Sequence, residues 1–159
     1  MDQDAAFRGN SPAKIDDKGR LKIPSVFRGI FAAHQSREVF VTSARGDYVR
    51  IYPLPAWIDI EKRIQRDQSA STAAAAPTGA ALARFIRAAN HWGQMAEIDG
   101  QDRILIHPRL RDRARALGDV EIEGALSHLA VWEQSRYNQS FVDDPLTDAD
   151  MNELKRLGI

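Results

Sequence analysis

The segment Ile15-Asp16-Asp17-Lys18-Gly19-Arg20-Leu21-Lys22-Ile23 returns 83 positions later as Ile98-Asp99-Gly100-Gln101-Asp102-Arg103-Ile104-Leu105-Ile106. Five residues further on, Arg28 meets Arg111, still without a gap. Internal repetition constrains architecture before any local signal does, because each copy must adopt the same unit. In both copies a short β signal precedes the Asp and another follows the Arg. Between them Asp17-Lys18-Gly19 has turn chemistry, with Gly19 free to take positive φ. Pro24 and Pro108 suit the first turns of short helices at 25–34 and 109–117. Two more strands are expected in each copy, at 39–42 and 48–52, then at 120–123 and 129–132. Such a unit of about 45 residues cannot bury much apolar surface alone, and its strand edges are open. It needs a second copy, so the repeats predict an intertwined pseudo-dimer.

Between the copies, Trp57, Ile60 and Ile64 make an apolar stripe on a helix over 54–68. An alanine-rich link at 69–77 follows, expected to be mobile, and Thr78-Gly79 opens a second helix lined by Leu82, Phe85, Ile86 and Ala89. Thr147 is a good N-cap for a C-terminal helix with Met151, Leu154 and Leu157 on its apolar side. The expected fold is α+β with a mainly β core. Residues 7–53 form the first repeat, 54–93 a helical connector, 94–142 the second repeat and 143–159 a C-terminal helix.

The chain has no cysteine, which removes thiolate chemistry, disulfides and cysteine-zinc sites. His34, His91, His107 and His128 lack ligand spacing, and no nucleophile elbow, phosphate loop or dinucleotide fingerprint occurs. No enzyme activity, metal, cofactor or small-molecule substrate is therefore expected. No apolar run is long enough for a membrane span, and the acidic start Met1-Asp2-Gln3-Asp4 lacks the features of a signal peptide; a cytoplasmic, nucleoid-associated protein is expected. The formal net charge is zero, but it is unevenly spread: +3 over 1–53, +3 over 54–118 and −6 over 119–159. Arg8, Lys14, Lys18, Arg20, Lys22 and Arg28 crowd the first repeat against Asp16 and Asp17. That pattern suits contact with an anion at one place, or simply a solvated face.

The two motifs, Asp-x-Lys-Gly-Arg-Leu-x-Ile-Pro and Asp-x-x-x-Arg-Ile-Leu-Ile-x-Pro-x-Leu-Arg, resemble those of the MraZ family, as do the early Phe7-Arg8-Gly9, the hairpin ending in Trp132-Glu133 and the acidic tail. The resemblance spans residues 7–159. It implies two AbrB-like swapped-hairpin β-barrel repeats and a bacterial transcriptional regulator. Such proteins assemble as ring-shaped homo-oligomers on repeated short boxes upstream of the division and cell-wall gene cluster, which usually includes their own gene. Repression is the expected sign. The DNA-reading Arg of the family falls on Arg20, with Lys18 on the same turn. Lys14 and Lys22 suit phosphates, and Arg8 is a further candidate on an arm expected to be flexible.

Asp16, Gly19, Arg28, Asp99, Arg103 and Arg111 read as the structural frame of the two motifs. The alternative for Arg20 is a clamp on Asp16 or Asp17. The second motif departs from the family in placing Asp102 before its Arg, where Gly is usual. Gln101 likewise stands at the Lys18 position. The first repeat is thus expected to contact DNA and the second to serve pairing and assembly. The competing reading of the whole chain is a non-enzymatic assembly protein that keeps the fold without DNA specificity.

Overall fold

A computed structural model describes residues 5–70 and 77–159. Its eight strands are β1 (Asn10–Ile15), β2 (Arg20–Lys22), β3 (Glu38–Thr42), β4 (Val49–Pro53), β5 (Gln94–Glu97), β6 (Arg103–Leu105), β7 (Gly118–Gly124) and β8 (Leu129–Glu133). They form one antiparallel sheet in the order β5-β3-β4-β8-β7-β1-β2-β6. At its ends the Asp99 N–H donates to Arg103 O at 3.0 Å, the same bond that Asp16 makes to Arg20 O at 3.0 Å between β1 and β2. The sheet is thereby a nearly closed barrel with little open edge.

The order shows how the repeats share the barrel. β1 of the first copy lies along β7 of the second, from Asn10↔Glu123 to Ile15↔Gly118, and β5 of the second lies along β3 of the first. Exchanging the copies maps this ring of neighbours onto itself. A pseudo-twofold axis passes through two self-paired ribbons, β4–β8 at one pole and β2–β6 at the other. This is an AbrB-like swapped-hairpin fold, and the open edges of each small unit are covered by the other copy.

Strand alternation sends Leu21, Ile23, Val39, Val41, Ile51, Ile104, Ile106, Ile122 and Leu129 into the barrel, where each is essentially inaccessible. Two short helices plug it: α1 (Ser25–Ala33) through Phe27 and Phe31, and α4 (Pro108–Ala114) through Leu110 and Ala114. Each fully buried aliphatic or phenyl side chain contributes roughly 1.5–3 kcal/mol by leaving water. α4 stops three residues short of the expected 117 because Arg115 turns left-handed at φ +53°, letting the Ala116 N–H reach Arg111 O at 2.9 Å. Pro108 does occupy the first turn of α4, whereas Pro24, extended at ψ 146°, precedes α1.

Helices α2 (Leu54–Ala70) and α3 (Pro77–Trp92) cover the outside of β3 and β4, burying Phe40, Tyr52, Trp57 and Ala89 in a second cluster. Most of the alanine-rich link, 71–76, lies outside the described residues. The expected hairpin end at Trp132-Glu133 leads directly into a helix that sequence reading did not anticipate, α5 (Gln134–Asp143). The Glu133 carboxylate caps it by accepting the Ser135 and Arg136 N–H groups. The final helix α6 (Asp148–Leu154) has the expected Thr147 cap, made reciprocal by the Asp150 carboxylate. Phe141, Val142, Leu146, Met151, Leu157 and Ile159 are all exposed along this tail. Among the described residues no helix is long and apolar enough to cross a membrane.

Candidate nucleic-acid interface

The β2–β6 pole is built from the two motifs. In the first turn, the Asp16 carboxylate accepts the Lys18 N–H at 3.0 Å and the Arg20 N–H at 2.9 Å through Oδ1. Its Oδ2 accepts the Arg20 Nε–H at 2.7 Å. The second turn repeats this bond for bond: Asp99 takes Gln101 N at 2.8 Å, Arg103 N at 2.9 Å and Arg103 Nε at 2.9 Å. The four-residue separation from Asp to Arg is what a short turn needs to let one carboxylate hold both backbone and side chain. The Arg20 backbone bond, then the Arg20 side chain, hold the Asp16 carboxyl below its ordinary range, and the Arg103 backbone bond, then the Gln101 backbone and the Arg103 side chain, do the same for Asp99. Each clamp is complete above the ordinary carboxylate pKa and is lost only as pH falls through the lowered one.

Both turns need a left-handed residue at their fourth position. Gly19 takes it at φ +85° and Asp102 at φ +59°, a conformation that Asp adopts more readily than most side chains. The turns also interlock. The Gly19 O accepts the Ile106 N–H at 2.9 Å, and the Asp102 O accepts the Ile23 N–H at 2.8 Å.

Arg111 of the second copy lies over Gly19, with Nη1 donating to Ile106 O at 3.3 Å; a Cβ on Gly19 would overlap that guanidinium. Arg28 of the first copy donates Nε to Ile23 O at 3.0 Å and lies 3.7 Å from the Asp102 carboxylate. Arg37 meets the same carboxylate at 3.9 Å and donates to Ile98 O and Asp99 O at 3.0 and 2.6 Å. The Asp102 carboxylate thus faces Arg28 and Arg37 of the first copy, in solvent-screened pairs. Comparing the copies conceals Arg37, because its register counterpart after the shorter α4 loop is Gly118.

Between the turns, β2 and β6 pair as Arg20↔Leu105, Leu21↔Ile104 and Lys22↔Arg103. Leu21 and Ile104 face the core, so the alternation puts Arg20, Lys22, Arg103 and Leu105 together on the outer face of one ribbon. Sequence reading treated the two motifs as separate surfaces; the fold brings them onto one. Each arginine is tethered through Nε, which fixes its guanidinium plane. Among the described residues the side-chain hydrogen bonds of Arg20 and Arg103 run through Nε alone. About a third of the Arg20 side chain and 27% of that of Arg103 remain accessible.

Lys18 lies exposed on the first turn and Lys22 exposed on the ribbon. Lys14 flanks them on β1, 3.7 Å from Asp119 in a solvent-screened pair. Arg8 is not part of this cluster. It sits at the far end of β1, about 20 Å of extended chain from Lys14. Its neighbour Phe7 is buried and bridged to Leu126, so the expected flexible arm is packed against the barrel there. Among the described residues no three His, Asp or Glu side chains are placed to share a metal ion.

Two swapped hairpin repeats closing one barrel, with an arginine-bearing ribbon at a pole, define the AbrB-like class of folds. A family model described as "MraZ protein, putative antitoxin-like" matches residues 6–78. A Koribacter versatilis protein named transcriptional regulator MraZ is 36% identical over 154 residues, which is 96% of this chain and 99% of that one. One of the same name from Acidobacterium capsulatum is 33% identical over 153 residues, again covering 96% and 99%. The chain belongs to the MraZ family.

Proposed function

We propose that this protein is a sequence-specific DNA-binding regulator of transcription, and that the β2–β6 ribbon is its reading head. The observation that carries the reading is the tethered pair Arg20 and Arg103 on one outward face. A guanidinium held in plane through Nε presents its Nη edge as a preformed fork, the shape that matches guanine O6 and N7 in the major groove. A two-stranded ribbon fits that groove. Lys18 and Lys22, with Lys14 beside them, contact phosphates and set register without encoding sequence. Asp16 and Asp99 orient their arginines rather than cancel them. Arg8, at the opposite end of β1, contributes nothing to this footprint. The names of the relatives support a role in transcription, and the family resemblance extends it to repression of the division and cell-wall cluster that includes the protein's own gene.

One ribbon makes few phosphate contacts, so we infer that the protein acts as a ring-shaped homo-oligomer on repeated boxes, where linked subunits gain affinity through high effective concentration. The exposed apolar residues from Phe141 to Ile159 supply a surface for such self-association. That same tail also favours the rival reading of a pure assembly protein. The two separate in a titration of the DNA upstream of the gene over a salt series. The regulator binds it in preference to a scrambled duplex, and its affinity falls as salt rises, by roughly one power of concentration for each phosphate neutralised. No binding, or equal binding to both duplexes, would leave the assembly reading in place.

A further inference from the structure

Resting on the ribbon as the DNA-facing surface, we propose that Leu105 is a second specificity residue, reading a thymine methyl next to the base that Arg20 reads. The pseudo-twofold axis relates Arg20 to Arg103 and Lys22 to Leu105. At the one position where the first copy carries a cation, the second carries a branched apolar side chain. Leu105 is 54% exposed on the outer face while its strand neighbours Ile104 and Ile106 are fully buried. Among the described residues, the other large apolar side chain exposed on a strand is Met95, on β5 rather than on this ribbon.

Leu105 is the direct cross-strand partner of Arg20. Such partners hold their Cβ atoms about 5 Å apart, between one and two base-pair steps of about 3.4 Å, which is within reach of neighbouring base pairs. The pair is thus a two-pronged probe, one prong a donor fork and the other a cluster of methyl groups. In the major groove the thymine C5-methyl is the apolar feature that sets it apart from the other bases, and apolar side chains select it. The symmetry mate of the probe, Arg103 with Lys22, has two cations and no apolar prong. One half of the ribbon therefore asks for a guanine with an adjacent thymine. The other asks for a guanine flanked by phosphate. A single chain thus reads an unsymmetrical site even though its scaffold is nearly symmetrical.

The test is selection from a pool of duplexes with a randomised centre, using the full-length wild type, Leu105→Ala, Leu105→Lys and Arg20→Ala. The wild type should enrich a site with thymine beside a guanine. Arg20→Ala should lose the guanine, and both Leu105 variants should lose the thymine while keeping every other position. Replacing that thymine by deoxyuridine, which removes only the methyl, should weaken wild-type binding about fourfold and leave Leu105→Ala within about 1.5-fold.

An unchanged thymine preference in the Leu105 variants overturns the proposal, and so does an equal deoxyuridine effect in wild type and Leu105→Ala. Failure of the underlying reading looks different: the wild type then enriches nothing, or Arg20→Ala selects the same site as wild type. Because Leu105 is half exposed, its variants should keep the wild-type circular dichroism. Loss of binding by Leu105→Ala to every duplex with that spectrum intact would also count against a base-specific role.

Discussion

Replacing Gly19 by Ala puts a methyl where the two motifs interlock, and its cost can be built up from the geometry. The left-handed backbone at φ +85° costs an L-residue about 1–2 kcal/mol. The new Cβ would overlap Arg111 Nη1 and come within 2.9 Å of Ile106 O. The guanidinium can swing away, forfeiting its bond to Ile106 O, but the carbonyl is part of the barrel wall. Its retreat strains the Ile106 N–H bond to Gly19 O, and two hydrogen bonds weakened or lost add about 1–2 kcal/mol.

Gly19→Ala should therefore destabilise by about 2–4 kcal/mol. Gly9 provides the control: it has φ +79° with nothing within 4 Å of a built Cβ, so Gly9→Ala should cost only the backbone part. Urea unfolding of the two variants and of Gly19→Ala/Arg111→Ala measures the difference. The double variant should recover little, since Ile106 O still blocks the methyl. Equal destabilisation by Gly9→Ala and Gly19→Ala, within about 0.5 kcal/mol, would refute the interlocked turn.

His128 gives a pH signature. Burial, then the nearby Arg50 guanidinium, pushes its pKa down to about 4, so the fold favours the neutral ring. The unfolded chain takes up the proton first, and stability should fall as pH drops from about 6.5 to about 4, by at most roughly 3 kcal/mol. Thermal unfolding of the wild type against His128→Phe, which keeps a ring beside Tyr52, should show that slope flattened in the variant; parallel profiles would exclude His128 as its source. The tail makes a separate prediction. Deleting residues 145–159 should lower the particle mass in light scattering while reducing the circular dichroism only by the signal of the helix removed, α6, and an unchanged mass would move the self-association surface elsewhere.

The barrel was legible in the sequence because the repeat dictates it: the Asp-to-Arg spacing, the alternation around Leu21 and Ile104, and the open edges of a small unit together demand an intertwined pair. The clamp was legible for the same reason. What stayed hidden is non-local. Nothing in either motif says that β2 pairs with β6, so Arg20 reads as a DNA contact and Arg103 as part of the pairing frame, instead of as neighbours. The Asp102 charge looked like a defect beside Arg103 because its partners, Arg28 and Arg37, come from the other copy. Helix α5 escaped notice because its cap is a Glu and none of its residues is fully buried, which leaves little periodic signal. Leu105 carries no signal of its own in the sequence; the register with Arg20 is what places it on the outer face.

The central claim is that Arg20 and Arg103 act together from one ribbon, and fluorescence anisotropy with a duplex from upstream of the gene tests it most directly. Arg20→Ala and Arg103→Ala should each weaken binding by roughly tenfold or more, as expected for a lost bidentate base contact of about 1–3 kcal/mol. The double variant should approach the affinity for a scrambled duplex. Wild-type affinity in Arg103→Ala with binding abolished in Arg20→Ala would confine DNA contact to the first repeat, and unchanged affinity in the double variant would contradict the account.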